Sequence, residues 1–198
     1  MERVTEPRAG RPPVTLSDGV VVLRPWKRSD ARFLWEASRD RAIERYNGPA
    51  PESVADAVSA IAGIKRRWRA FEDEGDHTGI AFVIVDATSG EAVGMCGVDE
   101  WSGTDVARFG YWLEADARGR GFATRAVSVM TWWLFDRGAA RVFLTIESTN
   151  TASAAVARRA GFVNEGTLRG YGVWQGRRQD VDVFAALPDE WPEPTSDT

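Results

Sequence analysis

The period of the hydrophobic positions changes several times along the chain, and each change predicts an element. Val20 to Leu23 is a short apolar run halted by Arg24-Pro25, and it reads as a strand. Ser29 is placed to cap a helix reaching about Arg39, with Ala31, Leu34, Trp35 and Ser38 on one face. Beyond Asn47-Gly48-Pro49, the residues Val54, Val58, Ile61, Ile64 and Trp68 recur at helical spacing and predict a longer helix from about Pro51 to Phe71. Ile80 to Val85 and Ala92 to Val98 flank the turn-rich stretch Asp86 to Gly90, the pattern of a hairpin. A strand over Val106 to Leu113 runs through Arg118-Gly119-Arg120-Gly121 into a helix that Gly138 ends. Arg141 to Glu147 reads as a strand and Asn150 to Arg159 as a short helix closed by Gly161. Phe162 to Arg169 and about Gln179 to Ala186 supply two more strands. The sum is a mixed α/β domain over residues 15–187, with six or seven strands and about four helices. Residues 1–14 read as a flexible leader and 188–198, rich in proline and acids, as a frayed tail.

Composition narrows the chemistry. With 198 residues and 43% hydrophobic positions, the chain fits one domain with one core. Its 21 aromatics exclude disorder as the dominant state. No apolar run approaches the ~20 residues of a membrane span, and no hydrophobic signal core begins the chain, so the expectation is a cytoplasmic protein. One cysteine, Cys96, excludes an internal disulfide, and one histidine, His77, excludes a multi-histidine metal site. Cys96 sits in an apolar run with no histidine beside it, and reads as an inert buried thiol; His77 sits in a polar loop and reads as exposed. The formal charge of −4 is carried by four acids in the last ten residues, which leaves the body near neutral without a nucleic-acid footprint. Of the 25 basic residues all but Lys27 and Lys65 are arginines, which favour planar contact with phosphates and carboxylates.

The most informative stretch is Phe109 to Ala126, where a strand enters a helix through a glycine-containing loop. The first turn of a helix leaves N–H groups without partners at the positive end of its dipole. Gly119 and Gly121 let the backbone approach a bulky anion, and Arg118, Arg120 and Arg125 can add charge. That combination suits a pyrophosphate. The stretch lacks both the closing Lys-Ser/Thr of a P-loop and the third glycine of a dinucleotide fingerprint.

Arg118-x-x-Gly121-x-Ala123 resembles the Q/R-x-x-G-x-G/A acyl-CoA signature of the GNAT N-acyltransferase superfamily. Its place after Gly110-Tyr111-Trp112-Leu113 is similar to the RimJ/RimL branch, which acylates ribosomal-protein N-termini. Asn150-x-x-Ser153 followed by Gly161-Phe162 resembles the family's N-x-x-S…G-F segment, and Glu165-Gly166-x-Leu168-Arg169 its E-G-x-L-R; Leu23-Arg24-Pro25 fits the same branch. The resemblance covers nearly the whole body and implies a GNAT fold: a mostly antiparallel sheet in which the strand at Phe109 to Leu113 splays from a parallel neighbour at Val142 to Glu147. It also implies acetyl-CoA, or another acyl-CoA, as co-substrate, without a metal. The acceptor would be a primary amine, such as a ribosomal-protein N-terminus or a small amine, acylated by direct attack in a ternary complex.

The resemblance implies the roles in turn. Tyr111, Trp112 and Leu113, with Arg118 to Thr124 (Gly119, Arg120, Gly121, Phe122 and Ala123 between them), would hold the donor, and a main-chain N–H of Trp112 or Leu113 would polarise the thioester carbonyl. Asn150 would bond the pantetheine amides and Ser153 the departing sulfur, although Asn150 equally fits a helix N-cap with Ser153 in the first turn. The branch's glutamate falls on Gly172, so the base is sought among Asp99, Glu100, Tyr171 and water, with Glu100 preferred. Arg41, Arg45, Tyr46, Trp101, Tyr171 and Trp174 would lie on the acceptor side. Arg24 or Arg45 near the thioester would suit a succinyl donor. A different class, a catalytically weak acyl-CoA sensor, fits the missing glutamate; ribosome association without catalysis is a third reading. Oligomeric state stays open, a homodimer included.

Overall fold

The computed structural model describes residues 14–47, 50–74, 79–102 and 105–191. Among these described residues eight strands form one sheet: β1 (Leu16–Ser17), β2 (Val21–Pro25), β3 (Ala81–Asp86), β4 (Ala92–Ser102), β5 (Val106–Leu113), β6 (Arg141–Glu147), β7 (Val163–Trp174) and β8 (Arg177–Ala186). Their order is β1-β2-β3-β4-β5-β6-β8-β7, with every pair antiparallel except β5 and β6. Five helices accompany them: α1 (Ala31–Ala37), α2 (Arg41–Asn47), α3 (Val54–Glu74), α4 (Phe122–Asp136) and α5 (Thr151–Ala160).

Both faces of the sheet are covered, which is why β3 is a continuous apolar run. Phe82 and Ile84 enter one core with Ala126, Met130 and Leu134 of α4 and Ala157 of α5. Ala81, Val83 and Val85 alternate into a second core with Trp26, Ala31, Ile43 and Ile61. α3 serves both: Ala57 and Ile61 join the second core, while Trp68 and Phe71 join the first. There Trp68 meets Phe82 edge-on at 4.8 Å and Trp133 packs against both.

Several boundaries differ from the sequence expectation for local reasons. Ser29 does not cap the first helix: Arg28–Asp30 forms a 3-10 turn, and the backbone continues from Asp30 into α1. α3 starts at Val54 rather than Pro51, because the Ser53 hydroxyl accepts the Asp56 N–H at 3.2 Å and donates to its carboxylate at 2.7 Å. α2 is an added helix, and β1 a two-residue edge strand. β7 runs on to Trp174 through two irregularities in its pairing with β8. At the other end, the expected tail boundary at residue 188 moves: Pro188–Glu190 forms a 3-10 turn and Trp191 is buried edge-on against Phe162 at 5.1 Å. His77, most of the leader and residues 192–198 lie outside the described residues.

Leu23-Arg24-Pro25 has a structural use. Arg24 donates to both oxygens of the buried Asp30 at 2.7 and 2.9 Å, and the Lys27 N–H adds a third bond at 2.7 Å. Burial opposes ionisation of Asp30, but the Arg24 and Lys27 bonds prevail and hold its pKa below 3.8. Its contribution to stability is therefore present above that pH and is lost as the pH falls through the lowered value. Asp30→Ala, which leaves Arg24 uncompensated, should cost about 3 kcal/mol in chemical denaturation, and an unchanged midpoint would contradict the assignment.

Candidate active site

β5 and β6 pair only at Val106↔Arg141, Ala107↔Val142 and Arg108↔Phe143. β5 then continues to Leu113 bonded to β4, and β6 to Glu147 bonded to β8, so the two strands part. The gap is a cleft of about 250 Å³ whose walls include Asp99, Arg108, Tyr111, Thr145, Glu147 and Ser153.

Strand alternation decides which main-chain groups face this gap. The Glu114 N–H bonds the Val93 carbonyl, so the Met95/Trp112 pair two residues on also exchanges its bonds within the β4–β5 ladder. Tyr111 and Leu113 lie between and turn their N–H and C=O to the β6 side, where the Leu113 carbonyl is already taken by Arg118 at 3.1 and 3.0 Å. Of the two expected carbonyl donors, then, the Leu113 N–H turns to the β6 side and the Trp112 N–H to β4, although Trp112 is among the cleft walls and Leu113 is not; the Trp112 ring stacks on Phe33 in the second core at 5.8 Å. On β6, the Ser148 N–H bonds the Asp180 carbonyl, which by the same alternation commits Ile146 to β8 and turns Thr145 toward the cleft.

The loop into α4 has the expected form. Gly119 and Gly121 adopt φ of 75° and 84°, a region costly for other residues, and open space surrounds both. The N–H groups of Phe122, Ala123 and Thr124 open α4 and so have no intrahelical acceptor, and among the described residues no side chain caps them. The arginines depart from expectation, because each is held by an aspartate from another element: Arg118 by Asp40 at 2.5 Å, Arg120 by Asp86 at 3.1 Å and Arg125 by Asp18 at 2.9 Å. Arg120 also lies over the Phe122 ring at 4.6 Å.

Across the cleft, Asn150 Oδ1 accepts the Ser153 N–H at 3.0 Å, and both residues also line the gap. Asn150 is thus an N-cap whatever else it does. The Tyr111 hydroxyl approaches the Ser153 carbonyl at 3.5 Å, and burial pushes its pKa up to about 12, which keeps the phenol protonated.

Glu100, the preferred candidate base, is not among the cleft walls, whereas its neighbour Asp99 is. A bulge between Val98 and Glu100 reverses the strand's parity, and Asp99 rather than Glu100 reaches the cleft, with Oδ2 standing 3.5 Å from where a side chain on Gly110 would begin. Protein packed around Asp99 raises its pKa; Arg108 opposes the rise and Glu100 adds to it. Glu100 points outward, 3.7 Å from Arg108, whose Nε is buried without a hydrogen bond. Tyr171 is 61% exposed and is not among the cleft walls, and Trp101 is buried against Phe71 and Trp133 in the first core. At Gly172 an added side chain would meet Val181 at 3.2 Å, so the hairpin leaves little room for one.

Arg45 does reach the site: it pairs with Glu147 and lies 5.5 Å from the Trp174 ring. Arg24, committed to Asp30, does not. Arg41 is exposed on α2, and the Tyr46 side chain lies outside the described residues. Glu147, Thr145 and Arg108 belonged to no motif. The one signal for the first two was their alternation with the buried Leu144 and Ile146 along β6.

The model of the acetyltransferase (GNAT) domain matches residues 21–163, and the chain belongs to that family of acetyltransferases. RimJ of Mycobacterium smegmatis in complex with CoA-disulfide is 26% identical, with a TM-score of 0.75 over 91% of this chain and 90% of its own. RimL, a ribosomal L7/L12 α-N-protein acetyltransferase in complex with coenzyme A, is 21% identical, with a TM-score of 0.73 over 86% and 96%. The ribosomal-protein-S5-alanine acetyltransferase of Vibrio fischeri is 24% identical, with a TM-score of 0.71 over 90% and 99%. No curated protein matches the sequence. Among the described residues no helix is long and apolar enough to cross a membrane.

Cys96 bears out its reading. It is fully buried on β4, and burial pushes its thiol pKa well above the usual range. A thiol reagent should label it only after denaturation; rapid labelling of the native protein would contradict its placement.

Proposed function

We propose that this enzyme transfers the acetyl group of acetyl-CoA to a primary amine, with a polypeptide N-terminus as the preferred acceptor, by direct attack while both substrates are bound. The observation that carries the reading is the pairing of an uncapped α4 N-terminus with a cleft whose edge offers the main-chain groups of Tyr111, Leu113 and Thr145. The complexes of RimJ and RimL with forms of coenzyme A support the donor, and the activities described for RimL and the Vibrio enzyme support the acceptor class.

The thioester supplies an activated acyl group. The amides of Gly119 to Thr124 suit its diphosphate, because a helix start presents N–H groups and partial positive charge together. The open space at Gly119 and Gly121 admits a bulky anion. The pantetheine arm fits the main-chain edge of β5 as an added strand would, and the Leu113 N–H is the donor toward the carbonyl oxygen as charge gathers there. Ser153 Oγ, which has no hydrogen bond among the described residues, is available to the departing sulfur, and the protonated Tyr111 hydroxyl stands beside it. Asp99 takes the proton that an ammonium acceptor must lose. It meets the need left open at Gly172, and for that reason catalysis is favoured over a sensor role.

Thiol release from acetyl-CoA with a panel of peptides and small amines tests the reaction. Asp99→Asn should lower turnover by ~10²–10⁴-fold and Glu100→Gln should change it little. Because Asp99 acts unprotonated and its pKa is raised, the wild-type rate should rise with pH through a value above 3.8, and this limb should vanish in Asp99→Asn. Equal losses in the two variants would contradict the assignment. Gly121→Glu places a carboxylate among the amides and should weaken coenzyme A binding by about tenfold or more in calorimetry, while far-ultraviolet circular dichroism is kept.

A further inference from the structure

The aspartate that holds Arg118 has a second task. Asp40 Oδ1 accepts the Ala42 N–H at 2.8 Å, and its carbonyl accepts the Ile43 and Glu44 N–H groups, both at 2.9 Å. Asp40 is therefore the cap of α2, while its Oδ2 takes Arg118. α2 in turn reaches the far end of the cleft, where Ala42 forms part of the wall and Arg45 Nε bonds Glu147 at 3.0 Å. Arg118 itself donates Nε and Nη2 to the Leu113 carbonyl, at 3.1 and 3.0 Å. One guanidinium thus joins the loop before α4, the open edge of β5 and the start of the helix that bears Arg45.

The pair is well suited to exchange. Its side chains are 43% and 27% exposed, and ion pairs so placed contribute little to stability. A diphosphate offers a planar guanidinium more charge and more acceptor oxygens than one carboxylate does. Asp40 would keep its bond from the Ala42 N–H after losing Arg118, so α2 would stay helical but no longer be tethered to the donor loop.

We propose that Asp40 is a positioning residue that couples the two substrates: a diphosphate at the start of α4 draws Arg118 away from Asp40, and α2 is released to shape the acceptor end of the cleft only after the donor has bound. This rests on the assignment of acetyl-CoA as donor. Asp40 thereby competes with the diphosphate for Arg118 and lowers donor affinity.

The test is Asp40→Asn, in which the amide oxygen still caps α2 but the charge facing Arg118 is gone; Asp40→Ser, which also caps, replaces it should the first variant not fold. Calorimetry with coenzyme A should give binding about two- to five-fold tighter than wild type. Hydrogen exchange of the Arg41–Asn47 amides should quicken in the wild type when coenzyme A is added. In the variant it should be fast beforehand and unaffected by the ligand. Equal or weaker binding by the variant, or wild-type α2 exchange indifferent to coenzyme A, overturns the coupling and leaves the donor assignment standing. Absence of binding to the wild type overturns both.

Discussion

The parting of β5 from β6 is the constraint from which the site follows. A parallel pair that bonded along its full length would satisfy every main-chain group and leave no gap. Here pairing ends at Arg108 and Phe143, while β5 stays bonded to β4 as far as Leu113 and β6 to β8 as far as Glu147, so the outer edges of the two strands are left without each other. Unpaired peptide groups away from water are costly, so such a gap persists only where solvent or a ligand can reach it. The two cores hold it open from both faces, with Trp112 locked against Phe33 on one and Phe109 against Phe162 on the other.

The charged groups are arranged around that gap in two different ways. At the loop before α4, each arginine is neutralised by an aspartate, so attraction for an anion comes first from main-chain amides and the helix dipole. Along the cleft, Glu147 is held by Arg45 and by the Thr149 hydroxyl at 2.6 Å, whereas Asp99 accepts no hydrogen bond among the described residues. A carboxylate with crowded surroundings and no hydrogen-bonded partner gains proton affinity, which is the direction found for Asp99.

Local conformation was legible in the sequence where a residue type dictates it. Gly119 and Gly121 announced positive φ, Asn150 announced a helix cap, and the alternation in Val106 to Leu113 announced the strand. The choice between Asp99 and Glu100 was not legible, because a one-residue bulge inverts which side chain faces the cleft and no local signal marks it. Nor were the partners of Arg118 and Arg45: Asp40 is 78 positions from the first and Glu147 is 102 from the second. Trp101 illustrates the converse. The family resemblance implied the acceptor side for it, yet its burial is decided by Phe71 and Trp133, which arrive from two other elements.

The helix start after Gly121 carries the heaviest share of the functional reading, and amide chemical shifts reach it directly. In a ¹⁵N-resolved titration with coenzyme A, the N–H resonances of Gly119, Gly121, Phe122 and Ala123 should move downfield together as they bond phosphate oxygens, with Leu113 following. Saturable shifts confined to residues outside this loop and the β5 edge, or no shifts at millimolar ligand, would contradict it.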